Sequence, residues 1–389
     1  MSACGPKSMS PGMSAVSAAS FGLFMGSLSG TSSPQGCFMS PLSIVYALSL
    51  ALNGAGPHSS THAELLRVIA GPAGQQQGLT ESDLNSELAR ALTLLNGQCT
   101  GGLAGPSSEM YLANSLWTHK GTQLKQAYVG SMESLFQATA REATNGAKDI
   151  NAWVAGATRG MIKDLIMTDD FIAVLANAIY FKGLWKHAFK SESTHTRDFT
   201  TSSGEVKQVS MMQQLFKPPG NAITGVQKKG LYDAVSLPYK GDAFSAVALL
   251  PAEGVDMSTA LKDWAAGPQK FTPLRDVKLI MPKFKVATAI SLKPVLQSLG
   301  VESAFSPGAA DFSRMVDFGA FVSDVVHKAV VEVDEEGTVA AAATGVVMMR
   351  CLPAPPEEII FNRPFAFMIY HNPTDLPAFI GVINDPSAA

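Results

Sequence analysis

The chain has 389 residues, 46% hydrophobic and 16% charged, with a formal net charge of -3. That balance supports a substantial core and excludes a disordered chain, and it excludes a dominant basic surface for nucleic acid, so patches such as Lys228-Lys229 read as solvated surface. Cys4, Cys37, Cys99 and Cys351 are too scattered for a zinc site or a disulfide framework, and reduced thiols are expected.

Residues 1–17 are rich in Ser, Gly, Pro and Met and predict a flexible N-terminal tail ahead of one domain spanning 18–389. They lack the basic start and dense apolar run of a secretory signal. Later apolar runs are too short or interrupted to span a bilayer. Asn372 has Thr at the second position after it, but Pro373 blocks glycosylation. Together these features predict a cytoplasmic or nucleocytoplasmic protein with no membrane partner.

From Ser20 the pattern is helical. Ser40-Pro41 predicts a helix start, with the hydroxyl as cap and the proline in the first turn. Ile44, Leu48 and Leu52 then share one face, and Asn53-Gly54 ends the helix. Segments 71–78 and 96–108 read as glycine-rich loops. A helix is predicted over 148–158, with Ile150, Trp153 and Val154 turned to a core. Segment 171–181 is apolar apart from Asn177, which predicts a central strand buried on both faces. An asparagine there must find hydrogen-bond partners. Alternating segments at 206–212, 234–239, 244–250 and 277–281 predict further strands. Segment 291–299 ahead of Gly300 predicts one more helix, and 365–370 with 378–383 predicts a hairpin across Asn372-Pro373-Thr374-Asp375. Helices dominate the first half and strands the second, so the fold class is α+β without internal repeats.

No Gly-x-Ser-x-Gly elbow, phosphate-binding loop or dinucleotide fingerprint occurs. His58 and His62, four apart, could share a helix face but lack a third ligand or a carboxylate at metalloprotease spacing. Neither a metal, a cofactor nor an enzymatic activity is expected.

Another segment is unusual. Glu335, Glu336, Gly337, Thr338 and Val339 lead into Ala340, Ala341, Ala342 and Ala343, then Thr344-Gly345 and the apolar run Val346-Val347-Met348-Met349. The run ends on the lone cation Arg350, then Cys351 and Leu352-Pro353-Ala354-Pro355-Pro356, where proline cannot continue a sheet. A strand-like run that stops on arginine displays a protease-sensitive bond. Taken alone, 340–349 also fits a buried strand or helix of a static fold. Extended, it would place Thr338, Ala340, Ala342, Thr344, Val346 and Met348 on one side.

Asp334-Glu335-Glu336-Gly337-Thr338 followed by the four alanines resembles the hinge of inhibitory serpins, with His327-Lys328-Ala329 ahead of it at the family's distance. The resemblance runs over roughly 20–386: Phe38-Met39-Ser40-Pro41-Leu42-Ser43-Ile44, Asn151-Ala152-Trp153-Val154 with Thr158, and Asn177-Ala178-Ile179-Tyr180-Phe181-Lys182-Gly183 with Trp185 and Phe189. Leu237-Pro238-Tyr239, Met281-Pro282-Lys283-Phe284 and Asn362-Arg363-Pro364-Phe365 follow in order.

The resemblance implies the serpin fold: one domain with three β-sheets, eight or nine helices and an exposed reactive-centre loop at about 335–356. It implies a monomeric suicide-substrate inhibitor whose partner is a trypsin-like serine protease or an arginine-specific cysteine protease. The protease is held as a covalent acyl-enzyme while the cleaved loop inserts into the main sheet. The alternative is a non-inhibitory serpin acting as chaperone, carrier or storage protein, against which the alanine run argues. The resemblance further implies that Ser40, Ser43, Asn177 and His327 form a polar cluster where the main sheet parts, and that Glu335 at the hinge pairs with Lys283. Val339 departs from the family's usual glutamate, and Met161 from its usual lysine after Gly160. Family spacing from Gly337 puts the specificity residue at Cys351, with Leu352 after the cut. Side-chain chemistry prefers the Arg350–Cys351 bond, because arginine offers a fixed cation to an acidic pocket. With Cys351 as specificity residue, small-pocket proteases would be the targets. Either way Cys351 is expected to be an exposed thiol whose oxidation tunes inhibition.

Overall fold

In the main sheet the strands lie in the spatial order Phe284–Ser291, Val322–Val333, Ala173–Leu184, Ser108–His119, Thr139–Ala143. These coordinates are a computed structural model that describes residues 9–30, 34–99, 108–218, 221–338 and 356–387. The central strand, Ala173–Leu184, is antiparallel to Ser108–His119 and parallel to Val322–Val333. Its near-continuous apolar run is buried along almost its whole length, as a strand covered on both sides must be. The parallel join to Val322–Val333, here termed the seam, uses slanted bonds that are slightly weaker per residue than antiparallel ones.

Strand alternation sorts the central strand between two cores. Val174, Ala176 and Ala178 pack with Ile150 and Val154 of the helix Ala147–Ala157 and with Ile162, Leu165 and Ile166 of the segment after it. Leu175, Ile179 and Phe181 face the opposite way into the main core. There the sheet contacts the helix Pro41–Gly54. A second sheet of seven strands has Phe365–His371 and Leu376–Ile383 near one end of its order, and a third sheet of four strands joins Val206–Phe216 to Val277–Pro282. Eight α-helices complete the described residues.

Four local expectations change. The helix Pro41–Gly54 buries every residue rather than one apolar face, which suits a helix apolar all round in the middle of a core. The chain is helical over Pro11–Gly30, which corrects residues 11–17 of the flexible tail placed at 1–17, while residues 1–8 lie outside the described residues. Ser10 Oγ accepts the Met13 amide at 3.3 Å, and Met13, Ala15 and Val16 are buried. Thus Ser10-Pro11 is the same start signal as Ser40-Pro41. Segment 71–78 is no simple loop, because the helix Ser60–Gln76 continues through a kink at Gly71, where φ is 60° and Pro72 follows. Gly74 serves close helix packing: a Cβ there would lie 3.1 Å from the Ala15 Cβ. Likewise the helix Glu81–Cys99 runs past residue 96, where a loop was expected.

No helix among the described residues is long and apolar enough to cross a membrane.

Candidate functional site

The seam is paired from Val322 opposite Ala173 up to Val330 opposite Tyr180, and no further. Above that point the chain turns through Asp334-Glu335-Glu336 and comes back as Gly337–Thr338, antiparallel to the central strand. Gly337 lies opposite Leu184 and Thr338 opposite Gly183. Two residues therefore already occupy the head of the seam as the first rung of an additional strand.

The turn explains itself residue by residue. Asp334 Oδ1 accepts the amides of Glu336 at 2.9 Å and Gly337 at 3.1 Å, an aspartate-made turn, while the Asp334 amide donates to the Gly337 carbonyl at 2.9 Å. The Trp185 amide donates to the Glu336 carbonyl at 2.8 Å, the Phe189 amide to that of Glu335 at 2.7 Å, and Trp185 Nε1 to that of Asp334 at 3.0 Å. Only glycine fits at 337: its φ is 153°, and a Cβ would lie 2.1 Å from the Gly183 carbonyl oxygen. Thr338 is fully buried, with its Oγ1 2.9 Å from the Tyr239 hydroxyl. The Tyr239 ring is stacked on Trp185 with centroids 4.5 Å apart and meets Phe181 edge-on at 5.0 Å.

Charge anchors the turn. Lys283 Nζ lies 2.9 Å from Glu335 Oε2, and the Thr194 hydroxyl donates to Glu335 Oε1 at 2.7 Å. Burial pushes the Glu335 carboxyl up, but these two hydrogen bonds and the lysine charge outweigh it and hold the group below the ordinary glutamate value. Asp334 and Glu336 go the other way, raised by burial and by their acidic neighbours.

Lower on the seam is a buried polar cluster. The Ser40 amide donates to His327 Nε2 at 3.1 Å, and His327 Nδ1 bonds Asn177 Oδ1. This fixes the tautomer, with the proton on Nδ1. Asn177 Nδ2 donates to the Ser43 carbonyl at 2.9 Å and also meets Ser43 Oγ and Asn114 Oδ1. Ser40 Oγ donates to the Ala378 carbonyl at 2.6 Å and accepts the Ser43 amide at 3.2 Å. His327 and Asn177 sit opposite each other across the seam. The cluster ties both of its strands to the helix beneath.

A family model described as Serpin (serine protease inhibitor) matches residues 16–386. The chain is a serpin. Leukocyte elastase inhibitor A of Mus musculus is 34% identical over 379 residues, spanning 91% of this chain and 94% of that one. Plasma serine protease inhibitor of Bos taurus is 34% identical over 369 residues, spanning 90% and 86%. The solved structure of the thermophilic serpin tengpin in the native state has a TM-score of 0.82 at 27% identity and covers 98% of this chain and 96% of that one. Thyroxine-binding globulin complexed with thyroxine has a TM-score of 0.81 at 24% identity, covering 96% and 98%, and shares the fold.

In this serpin, Ser40, Ser43, Asn177 and His327 stand together, and so do Glu335 and Lys283. Val339, Ala340, Ala341, Ala342, Ala343, Arg350, Cys351 and Leu352 lie outside the described residues. Reasoning from sequence missed Asn114, Thr194, Trp185 and Tyr239 as hydrogen-bonding partners. Asn114 carries the signal that exposed Asn177, a lone amide in a buried strand, and the two are direct cross-strand partners. Trp185 and Tyr239 read only as apolar landmarks, although a buried indole or phenol needs a partner for its polar atom. His58 does not share a helix face with His62: the helix starts at Ser60, capped by Ser59, and His62 Nε2 bonds Glu81 at 2.8 Å. Met161 is about half exposed, and nothing around it explains the loss of a lysine there.

Burial drives the His327 imidazole down from its ordinary 6.5 to about 3. Between those values the unfolded chain takes up a proton that the folded chain refuses, so stability is complete above pH 6.5 and falls with pH through this window. At pH 5 the loss from this one group should be about 2 kcal/mol. Urea midpoints at pH 7, 6 and 5 check this: His327→Gln should shallow the fall, leaving the contribution of His371, which burial lowers to about 4. Parallel pH profiles for the wild type and His327→Gln would show that His327 does not govern the slope.

Proposed function

We propose that this serpin is a suicide-substrate inhibitor of a protease with arginine preference, cut between Arg350 and Cys351. The observation that carries the reading is the rung at Gly337–Thr338, seated at the head of a seam that is paired only below it. A protease serine, or cysteine, attacks the Arg350 carbonyl; the peptide bond breaks, Cys351 departs as a free amine, and the Arg350 acyl group stays on the enzyme. The freed strand continues the register already set. Ala340 comes opposite Phe181, Ala342 opposite Ile179, and Thr344 opposite Asn177, so small side chains enter first and the seam opens stepwise down to the polar cluster. About fourteen residues at ~3.3 Å each carry the enzyme on the order of 45 Å from its starting point. Deacylation by water competes with that travel, and the outcome depends on how fast the strand enters.

The Lys283–Glu335 pair with Thr194 holds the turn in place while the loop waits. The same proposal has the molecule act as a monomer inside the cell, where Cys351 stays reduced.

Incubation with trypsin and with an arginine-specific cysteine protease, followed by denaturing gels and mass spectrometry, tests the reading. A complex that survives denaturation, with a released peptide beginning at Cys351, is the expected result. A peptide beginning at Leu352 moves the bait to Cys351. Clean cleavage with no complex for either enzyme overturns inhibition and favours the carrier, chaperone or storage role.

A further inference from the structure

We propose that Tyr239 is a positioning residue for trapping: its hydroxyl latches Thr338 at the head of the seam and keeps the inserting strand nucleated before the bait is cut. The proposal rests on the loop-insertion reading and adds what determines whether the first rung is in place. Thr338 Oγ1 and the Tyr239 hydroxyl are 2.9 Å apart in a fully buried site, and among the described residues neither has another side-chain hydrogen-bond partner. Stacking on Trp185 at 4.5 Å and the edge contact with Phe181 at 5.0 Å aim the phenol, so its hydroxyl has little freedom to seek a substitute. In the docked hinge each hydroxyl satisfies the other, so removing one leaves its partner buried without a hydrogen bond and makes docking costly, whereas removing both leaves no such orphan.

Docking has two opposed kinetic consequences. A seated rung supplies the nucleus from which the cut loop zips down the seam, because insertion proceeds only from molecules whose hinge is docked. The same rung holds residues that would otherwise lengthen the loop's reach to the protease. Loss of the latch should therefore impair trapping while cleavage of the bait proceeds at least as fast. General damage to the fold has no reason to separate the two.

Tyr239→Phe and Thr338→Val each remove one hydroxyl with little change of shape, and the double variant removes both. The Trp185 and Phe189 amides donate to the Glu336 and Glu335 carbonyls, so their hydrogen exchange reports docking in the uncut protein, with or without inhibition. Each single variant should speed exchange at these amides about tenfold, and the double variant should recover much of the protection because no orphaned hydroxyl remains. With trypsin, the ratio of covalent complex to released cleaved serpin should fall several-fold in the single variants at an undiminished cleavage rate, and recover in the double. Unchanged exchange in both single variants, or a double variant as impaired as the two losses combined, overturns the latch. If the wild type forms a complex with neither trypsin nor an arginine-specific cysteine protease, the inhibitory reading falls, while exchange still decides whether Tyr239 seats the hinge.

Discussion

Cut once after Arg350 and freed of protease, the serpin is expected to melt on the order of ten degrees or more above the intact chain. The reason lies in the seam. Intact, Val322–Val333 and Ala173–Leu184 meet as a parallel pair up to Val330 and Tyr180. Only Gly337 and Thr338 of the returning chain are described beside the central strand. Once the tether is cut, the strand can run down the whole join and be antiparallel to both neighbours, with the more favourable bonding of that arrangement. Insertion would also bury Val346 and Met348, worth roughly 1.5–3 kcal/mol each when fully buried. Scanning calorimetry of intact and cleaved protein at one heating rate measures the difference; a matched rate is needed because such transitions are kinetically governed. Coincident transitions would mean that the cut releases no stored free energy, and the trapping mechanism would have no driving force.

Ala342→Glu should abolish trapping, whereas Val339→Glu should leave it nearly intact. Continuing the register from Thr338 opposite Gly183 brings Ala342 opposite Ile179, a fully buried residue of the main core, on the same side as buried Thr338. An ionised carboxylate forced into that side without a partner costs several kcal/mol, enough to slow insertion by about a hundredfold or more. On the same continuation of register Val339 would fall on the opposite side, one step past Thr338. Stoichiometry of inhibition against trypsin distinguishes the two: the Ala342→Glu protein should be consumed as substrate with no complex, and the Val339→Glu protein should trap as the parent does. Equal behaviour of the two variants would show that the inserted strand does not keep the register set at Gly337–Thr338.

Much of the architecture is legible in short stretches. Ser40-Pro41 marks its helix because a hydroxyl cap and a proline in the first turn are local chemistry, and the helix runs over Pro41–Gly54. The lone Asn177 in an apolar strand marks a buried polar site because such an amide must be satisfied. Ser10-Pro11 carries the same cap signal, yet its Ser, Gly, Pro and Met surroundings read as a tail. What anchors Pro11–Gly30 is burial against helix Ser60–Gln76 and other elements remote in sequence, which no local window contains.

The hinge divides the same way. Its acids, its glycine and its small residues are visible in the chain, and alternation already assigns Thr338 and Ala342 to one face. Where that face points, and that Tyr239, Trp185 and Thr194 meet the hinge, depends on segments 99 to 149 residues apart in the chain being brought side by side. Side-chain type and spacing follow from the covalent chain, whereas partners depend on packing. The state of the seam, paired below Tyr180 and occupied above it, is a property of the assembled sheet alone, because hydrogen bonds between distant strands form only once the core has placed them in register.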